Sequence, residues 1–144
     1  MITVVLDTNI VVSAIFWPRS IARSCLAGLA RRQYAITLTA EVFAEYETIV
    51  AEFQPNFPDR NSQGTLSWLR YKARWVEPAP LGKARSRDPK DDPILSCALA
   101  ARAACIVTRD QDLLDLEKPF GIEILTPQKF LAWLRSHHPS AGHS

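Results

Sequence analysis

Four acidic segments are spaced along this 144-residue chain, and together they predict a site for a hard divalent metal ion. In chain order they are Asp7-Thr8-Asn9, Glu45, Asp91-Asp92 and Thr108-Arg109-Asp110. Asp7 directly follows an apolar run, and Asp110 lies just past another, so both come at or near the carboxyl ends of predicted buried strands. Open α/β sheets place their active sites at that edge. Magnesium and manganese prefer oxygen ligands, which carboxylates supply.

Carboxylates gathered in this way can support the hydrolysis of a phosphodiester bond. A bound magnesium ion keeps several waters, so a few acidic side chains anchor it and leave room for a phosphate oxygen. The ion lowers the pKa of a bound water, neutralises charge on the nonbridging oxygens and orients in-line attack. Two ions about 4 Å apart would also stabilise the leaving oxygen.

Each acid also has an ordinary structural explanation. Asp92 precedes Pro93, which is a common way to open a helix. Glu45 shares its helix with three other glutamates, Glu41, Glu47 and Glu52, and periodicity does not choose among them. Asp7 and Asp110 could each cap a following helix, although an unpaired acid after an apolar strand is costly to bury.

The elements that must position these acids alternate between strands and helices. Apolar runs predict strands at 2–6, 34–38, 75–77, 105–108 and 122–125. Apolar spacing and capping signals predict helices at 21–32, 39–53, 66–73, 92–104, 110–116 and from 126 onward. This alternation predicts one α/β domain over residues 1–136, with a central parallel sheet between two helical layers, and a disordered tail over 137–144.

Charge is distributed unevenly along the chain, whose net charge is only +2. The stretch 70–90 holds seven basic and two acidic residues: Arg70, Lys72, Arg74, Lys83, Arg85, Arg87 and Lys90 against Glu77 and Asp88. A phosphate backbone would be attracted to such a segment. The alternative is a solvated helix face followed by a polar loop, and the acidic segments favour the polyanionic substrate.

Cysteine use and hydropathy predict a reduced compartment. The three cysteines, Cys25, Cys97 and Cys105, are an odd number in apolar surroundings without paired metal-ligand spacing, which favours reduced core thiols. No apolar stretch approaches the ~20 residues needed to span a bilayer, and no secretory signal is evident. We therefore expect a cytoplasmic protein with no membrane partner.

The acidic segments, taken in order with their flanking residues, resemble the PIN-domain family. The resemblance is carried by residues 4–13, 39–45, 91–98 and 106–114, and it spans nearly the whole chain. It is strongest with the VapC-like toxin branch of small bacterial and archaeal ribonucleases. A three-layer α/β/α PIN-like fold with a central parallel sheet is the architecture that this resemblance implies.

The resemblance also implies roles for individual residues. The metal ligands and catalytic acids would be Asp7, Glu45, Asp92 and Asp110, directly or through water, with Asp112 as a fifth metal contributor. Asp92 is preferred to Asp91 because the third acid of the family pattern heads the helix that leads into the last acidic strand. Thr8, Asn9 and Thr108 would support the carboxylates through hydrogen bonds. Substrate phosphates would meet Arg109, Lys83, Arg85 and Arg87, although Arg109 could equally be a surface arginine.

The function implied is a magnesium- or manganese-dependent endoribonuclease that acts on RNA and resembles the toxin of a toxin-antitoxin pair. A cognate antitoxin and a homodimer are the implied partners. A phosphatase that forms an aspartyl-phosphate is disfavoured, because Asn9 stands where such enzymes usually have a second Asp. A PIN-like module that binds RNA or protein without cutting is the remaining alternative. Related sequences often have Gly where Arg102 and Arg109 stand, so turn geometry is expected to differ there.

Overall fold

A computed structural model describes residues 1–82 and 89–137 of the chain. Its strands are β1 (Thr3–Leu6), β2 (Ala35–Leu38), β3 (Arg74–Trp75), β4 (Cys105–Val107) and β5 (Glu123–Leu125). They form one sheet in the order β3-β2-β1-β4-β5, and every neighbouring pair is parallel. The predicted strands are therefore confirmed, with ends that shift by one or two residues.

Helices cover both faces of this sheet. Successive residues of a strand point to opposite faces, and in β1 and β4 the consecutive residues Val4, Val5 and Leu6, and then 105–107, are all fully buried. A strand buried on both sides requires a layer on each face. The sheet and its helices thus confirm the α/β fold with a central parallel sheet.

The described residues form seven α-helices, of which six lie between strands and the last follows β5. They are α1 (Thr8–Phe16), α2 (Ile21–Ala30), α3 (Ala40–Phe53), α4 (Ser62–Lys72), α5 (Asp92–Ala101), α6 (Gln111–Leu114) and α7 (Pro127–His137). Side-chain caps fix where several of them begin: the Oγ1 atom of Thr39 accepts a hydrogen bond from the backbone N–H of Val42 at 3.1 Å, as predicted for the start of α3. The start of α3 at Ala40 sets the position of Glu45 five residues later.

The direction of the strand order reverses between β1 and β4. From β1 the chain builds outward through β2 to β3, and it then returns to add β4 and β5 on the other side. Such a reversal leaves a crevice at the carboxyl ends of the two strands. The backbone N–H of Asp7 donates to the carbonyl oxygen of Val107 at 2.9 Å, so the residues that follow β1 and β4 meet at this crevice.

Three helices differ from the prediction. The helix α4 begins at Ser62, four residues before the predicted start at 66. The helix α1 was not predicted, because six of its nine residues are apolar and buried, which leaves only a narrow polar face with Asn9 and Ser13 to mark a helical period. The helix α5 begins with Asp92 as its first residue, rather than its cap, and ends at Ala101, three residues before the predicted end. It ends there because Arg102 adopts a left-handed conformation with φ of 51°.

The predicted disordered tail is only partly covered by the described residues. His137, which the sequence assigns to the tail, is the last residue of α7, and residues 138–144 lie outside the described residues.

Among the described helices none is long and apolar enough by itself to cross a membrane, although α1 and α2 would qualify together on length and composition, with a 97° bend between them. The three cysteines are buried and unpaired, as predicted.

Candidate metal centre

Asp7 occupies the first residue position after β1 and lies at the centre of the crevice. Its carboxylate accepts hydrogen bonds from the backbone N–H of Thr8 at 2.8 Å, from Asn9 Nδ2 at 3.1 Å and from Thr108 Oγ1 at 2.7 Å. The bond from Thr8 caps α1. Asp7 is only 6% exposed, so this carboxylate is held in one orientation in a largely dry setting.

The segment after β4 brings a second carboxylate to the same place. The Oγ1 atom of the fully buried Thr108 donates to Asp7 and also accepts from the backbone N–H of Asp110 at 2.9 Å. Asp110 in turn caps α6, since its Oδ1 atom accepts from the backbone N–H of Asp112 at 3.0 Å. One threonine hydroxyl therefore links the two loops that carry Asp7 and Asp110.

Glu45 reaches the crevice from α3. Its Oε2 atom accepts a hydrogen bond from the Oγ1 atom of Thr8 at 2.5 Å, which ties α3 to the start of α1. Glu45 is half-buried, whereas the other three glutamates of this helix, Glu41, Glu47 and Glu52, are exposed. The structure thus distinguishes one glutamate where sequence periodicity could not.

The third acidic segment differs from the prediction by one residue. Asp91, at the end of a short 3₁₀ turn, is 6% exposed and lines the crevice, whereas Asp92 opens α5, is half-buried and is not among the residues that line it. The sequence favoured Asp92 because it abuts the helical run, but the direction of a side chain at a helix start depends on how the preceding turn enters the helix. The adjacent acid was the only sequence signal for Asp91.

These side chains surround a single cavity of about 460 Å³, which we call the carboxylate cavity. It is lined by the four carboxylates of Asp7, Glu45, Asp91 and Asp110, by Thr8, Asn9 and Ser13, and by an apolar wall of Val12, Trp17, Ile49 and Phe53. Asp112 stands beside it, and carboxylate oxygens of Asp91, Asp110 and Asp112 lie within 4.8 Å of one another. The sequence did not predict the apolar wall.

Burial changes the ionisation of Asp7, and the neighbouring acids add to the effect. Burial raises the pKa of its carboxyl above the ordinary value, hydrogen bonds from Thr108 and Thr8 oppose that shift, and the charges of Glu45 and Asp110 add to it. An ionised Asp7 carboxylate therefore lacks full compensation from the protein. A divalent cation with oxygen ligands is the species that such a donor set suits.

The predicted substrate residues are only partly described. Arg109 is exposed at the rim of the crevice, where its Nη1 atom donates to Ser13 Oγ at 2.8 Å and its backbone N–H donates to Asn9 Oδ1 at 3.3 Å. Lys83, Arg85 and Arg87 lie outside the described residues.

Two solved structures share this fold at low sequence identity. The crystal structure of VapBC2 from Rickettsia felis bound to a DNA fragment from their promoter contains a chain with 20% identity and a TM-score of 0.62, and the alignment covers 86% of this chain and 98% of that one. PAE2754 from Pyrobaculum aerophilum has 13% identity and a TM-score of 0.61, with 94% and 90% covered.

Sequence comparison gives a more specific result. No curated protein matches the chain. The family model described as PIN domain matches residues 3–112, which include all four acidic segments. Because that match extends over most of the sequence, the resemblance noted from the motifs is confirmed, and the chain belongs to the PIN-domain family.

Proposed function

We propose that this chain is a metal-dependent endoribonuclease that uses Mg²⁺ or Mn²⁺ and resembles the toxin of a toxin-antitoxin pair. The observation that carries the proposal is the convergence of Asp7, Glu45, Asp91 and Asp110 on one cavity at the point where the strand order reverses. PIN domains are generally metal-dependent nucleases, and this convergence supplies the acidic donors that such chemistry needs.

The residues present fit a divalent cation. Three carboxylates from two separate segments, those of Asp91, Asp110 and Asp112, bring oxygens within 4.8 Å of one another, close enough to share one ion. Asp7 and Glu45 face the same cavity from β1 and α3. When bound, the cation would activate water and neutralise charge on a phosphate.

We assign the third acidic position to Asp91 in place of Asp92. Asp91 lines the carboxylate cavity beside Asp7 and Asp110, whereas Asp92 does not line it. Thr108 and Thr8 would act by orientation, because their hydroxyls hold the carboxylates of Asp7 and Glu45 in place. Asn9 would share that role through its bond to Asp7.

RNA is the proposed substrate, with Arg109 placed to meet a phosphate at the cavity rim. We assign the same phosphate-binding role to Lys83, Arg85 and Arg87, because the sequence of their segment is strongly basic. A cognate antitoxin is the proposed protein partner, because one structure with the same fold is of VapBC2 bound to promoter DNA. From the resemblance to the family, we also propose that the protein is a homodimer in the cytoplasm.

Cleavage of a mixed RNA pool tests the activity. The wild type is assayed with Mg²⁺, with Mn²⁺ and with EDTA, beside Asp7→Asn, Asp91→Asn and Asp92→Asn. We expect cutting that requires metal and falls at least roughly 100-fold in Asp7→Asn and Asp91→Asn, since loss of a partner outside the metal ligands already costs about 10–100-fold. Asp92→Asn, the matched neighbour, should stay within about threefold of the wild type.

Thermal melting of each variant separates lost chemistry from lost fold. A pool left intact by the wild type in every metal would instead favour a PIN-like module that binds without cutting. If Asp92→Asn loses activity while Asp91→Asn stays active, Asp92 rather than Asp91 would be the third acidic ligand, as the sequence predicts.

A further inference from the structure

An exposed tryptophan joins the carboxylate cavity to a second cavity beside it. Trp17 follows the last residue of α1 and keeps 45% of its surface exposed. It lines the carboxylate cavity, and it also lines a neighbouring cavity of about 690 Å³ that we call the arginine cavity, together with Phe16, Phe57, Arg19, Arg60 and Arg109. Any chain that leaves the carboxylates in this direction passes Trp17.

Three phenylalanines hold the indole ring of Trp17 in place. Its ring meets those of Phe57, Phe53 and Phe16 at centroid distances of 5.1, 5.9 and 6.4 Å, with interplanar angles between 69° and 81°. These are edge-to-face contacts, and among the described residues no aromatic ring stacks in parallel on the indole. The ring is fixed without a parallel partner, which is the arrangement that a nucleobase could complete.

The charge of the arginine cavity suits a phosphate chain. Arg19 follows α1, Arg60 precedes α4 and Arg109 follows β4, so three separate segments each contribute an arginine to one cavity, and no acidic residue is among its described lining. The Nη1 atom of Arg109 donates to Ser13 Oγ at 2.8 Å, and Ser13 lines both cavities. Guanidinium groups match phosphate oxygens in geometry as well as in charge.

We propose that the arginine cavity is a nucleotide subsite, in which the base next to the scissile phosphate stacks on Trp17 and the following phosphate binds Arg109. This inference rests on the proposed ribonuclease function and names a residue that selects the substrate. A base within a duplex is already stacked on its neighbours, so Trp17 would accept an unpaired nucleotide. Stacking tolerates every base, so the subsite selects for strand state rather than for sequence.

The test compares RNA with a chain that has the same backbone but no bases. The affinity of a fluorescein-labelled random 12-nucleotide RNA and of a 12-unit abasic ribose-phosphate oligomer is measured by anisotropy, in the Asp7→Asn background so that neither is cut. Trp17→Ala should weaken RNA binding roughly tenfold, as expected for one lost base-aromatic stack, and change the abasic Kd less than about twofold. Trp17→Tyr keeps an aromatic face and should retain most of the affinity.

Trp75→Ala is the matched control, since Trp75 is also 45% exposed and makes one edge-to-face contact, with Phe43 at 5.7 Å, but lines neither cavity. The proposal is overturned if Trp17→Ala binds RNA like its parent, if RNA and abasic affinities fall equally, or if Trp75→Ala produces the same loss. Unchanged RNA binding in Trp17→Ala would leave the arginine cavity to a protein partner.

Cleavage by otherwise wild-type protein separates this proposal from the proposed function. Metal-dependent cutting with the same KM in the wild type and in Trp17→Ala would contradict the proposed subsite and support the proposed ribonuclease function. A base-dependent loss of affinity in Trp17→Ala, together with no cutting by the wild type, would support the proposed subsite and contradict the proposed ribonuclease function.

Discussion

Asp7 combines a structural role with a place in the candidate site. Its carboxylate caps α1 through the backbone N–H of Thr8 and still lines the carboxylate cavity. Asp110 does the same at α6, through the backbone N–H of Asp112. Capping and metal binding are therefore not alternatives at these two positions, since a carboxylate has two oxygens and several lone pairs to share.

The raised pKa of Asp7 predicts a specific pH dependence of stability in metal-free protein. Because the pKa is raised above 3.8 in the folded state, the folded protein binds this proton more tightly than the unfolded chain does. The resulting stability is fully present below the unfolded pKa and is lost as pH rises through the folded one. Replacing this carboxyl with a neutral amide should therefore raise the free energy of unfolding, relative to wild type, more at high pH than at low pH. We expect the free energy of unfolding of Asp7→Asn, relative to wild type, to rise from pH 4 to pH 7 in EDTA, as measured by urea denaturation.

The trend with pH, rather than its offset, is the informative quantity. Asp7→Asn disturbs the hydrogen bonds with Thr108 and Asn9, which shifts the difference between the two proteins by a similar amount at every pH. A difference that is flat or falls with rising pH would contradict the burial argument. Addition of Mg²⁺ should stabilise the wild type more than Asp7→Asn at pH 7, since only the wild type presents the full set of carboxylates.

Side-chain direction limits what the sequence could predict at this scale. Asp7 and Asp110 were identifiable because a strand that ends in an acid leaves that acid at the sheet edge. Asp91 was passed over for Asp92, since two adjacent acids differ by about 100° around a helix start, and the entry of the chain into α5 decides which one faces the crevice. Periodicity did not distinguish Glu45 from its helical neighbours, whereas the family resemblance chose it, and the hydrogen bond from Thr8 agrees with that choice.

At the scale of elements, the strands were predictable and α1 was not. A strand buried on both faces is a short apolar run, which the sequence displays plainly at β1 and β4. The helix α1 is buried along most of its length, so its residues form an apolar run without a stripe. Its burial also explains why the wall of the carboxylate cavity, which includes Val12, was missed.

The end of α5 predicts a stabilising substitution. Arg102 adopts φ of 51° and ψ of 49°, and its backbone N–H donates to the carbonyls of Ala98 and Leu99. A left-handed backbone costs a residue with a Cβ about 1–2 kcal/mol, whereas glycine adopts it freely. Glycine also gains freedom in the unfolded chain, which offsets about 0.4–1 kcal/mol. Arg102→Gly should therefore stabilise the protein by roughly 0.5–1 kcal/mol in urea denaturation.

Arg102→Ala is the appropriate comparison, because it removes the same exposed side chain and keeps the Cβ. It should change the free energy of unfolding by less than about 0.5 kcal/mol. If glycine proves no more stabilising than alanine, the strain at Arg102 is relieved elsewhere.

At the scale of the whole molecule, one core joins all the layers. Cys25 in α2, Cys97 in α5 and Cys105 in β4 are each fully buried within it. The two helical cysteines contact distant segments, since Cys25 Sγ lies 3.8 Å from the carbonyl oxygen of Pro127 and Cys97 Sγ lies 3.7 Å from that of Thr37. The three thiols therefore report on packing at three different elements.

Thiol reactivity should follow unfolding of this core as a whole. Burial raises the pKa of Cys25 to about 12 and that of Cys97 to about 11, and it also raises the pKa of Cys105, so almost no reactive thiolate is present at pH 8. We expect a disulfide reagent such as Ellman's to titrate none of the thiols in native buffer and all three in denaturant. Across a urea series, mass spectrometry should find the three labelled in parallel, because exposure of any one requires the shared core to open. Early labelling of Cys25 alone would instead show that α2 opens separately from the sheet, and labelling in native buffer would contradict the burial of the thiols.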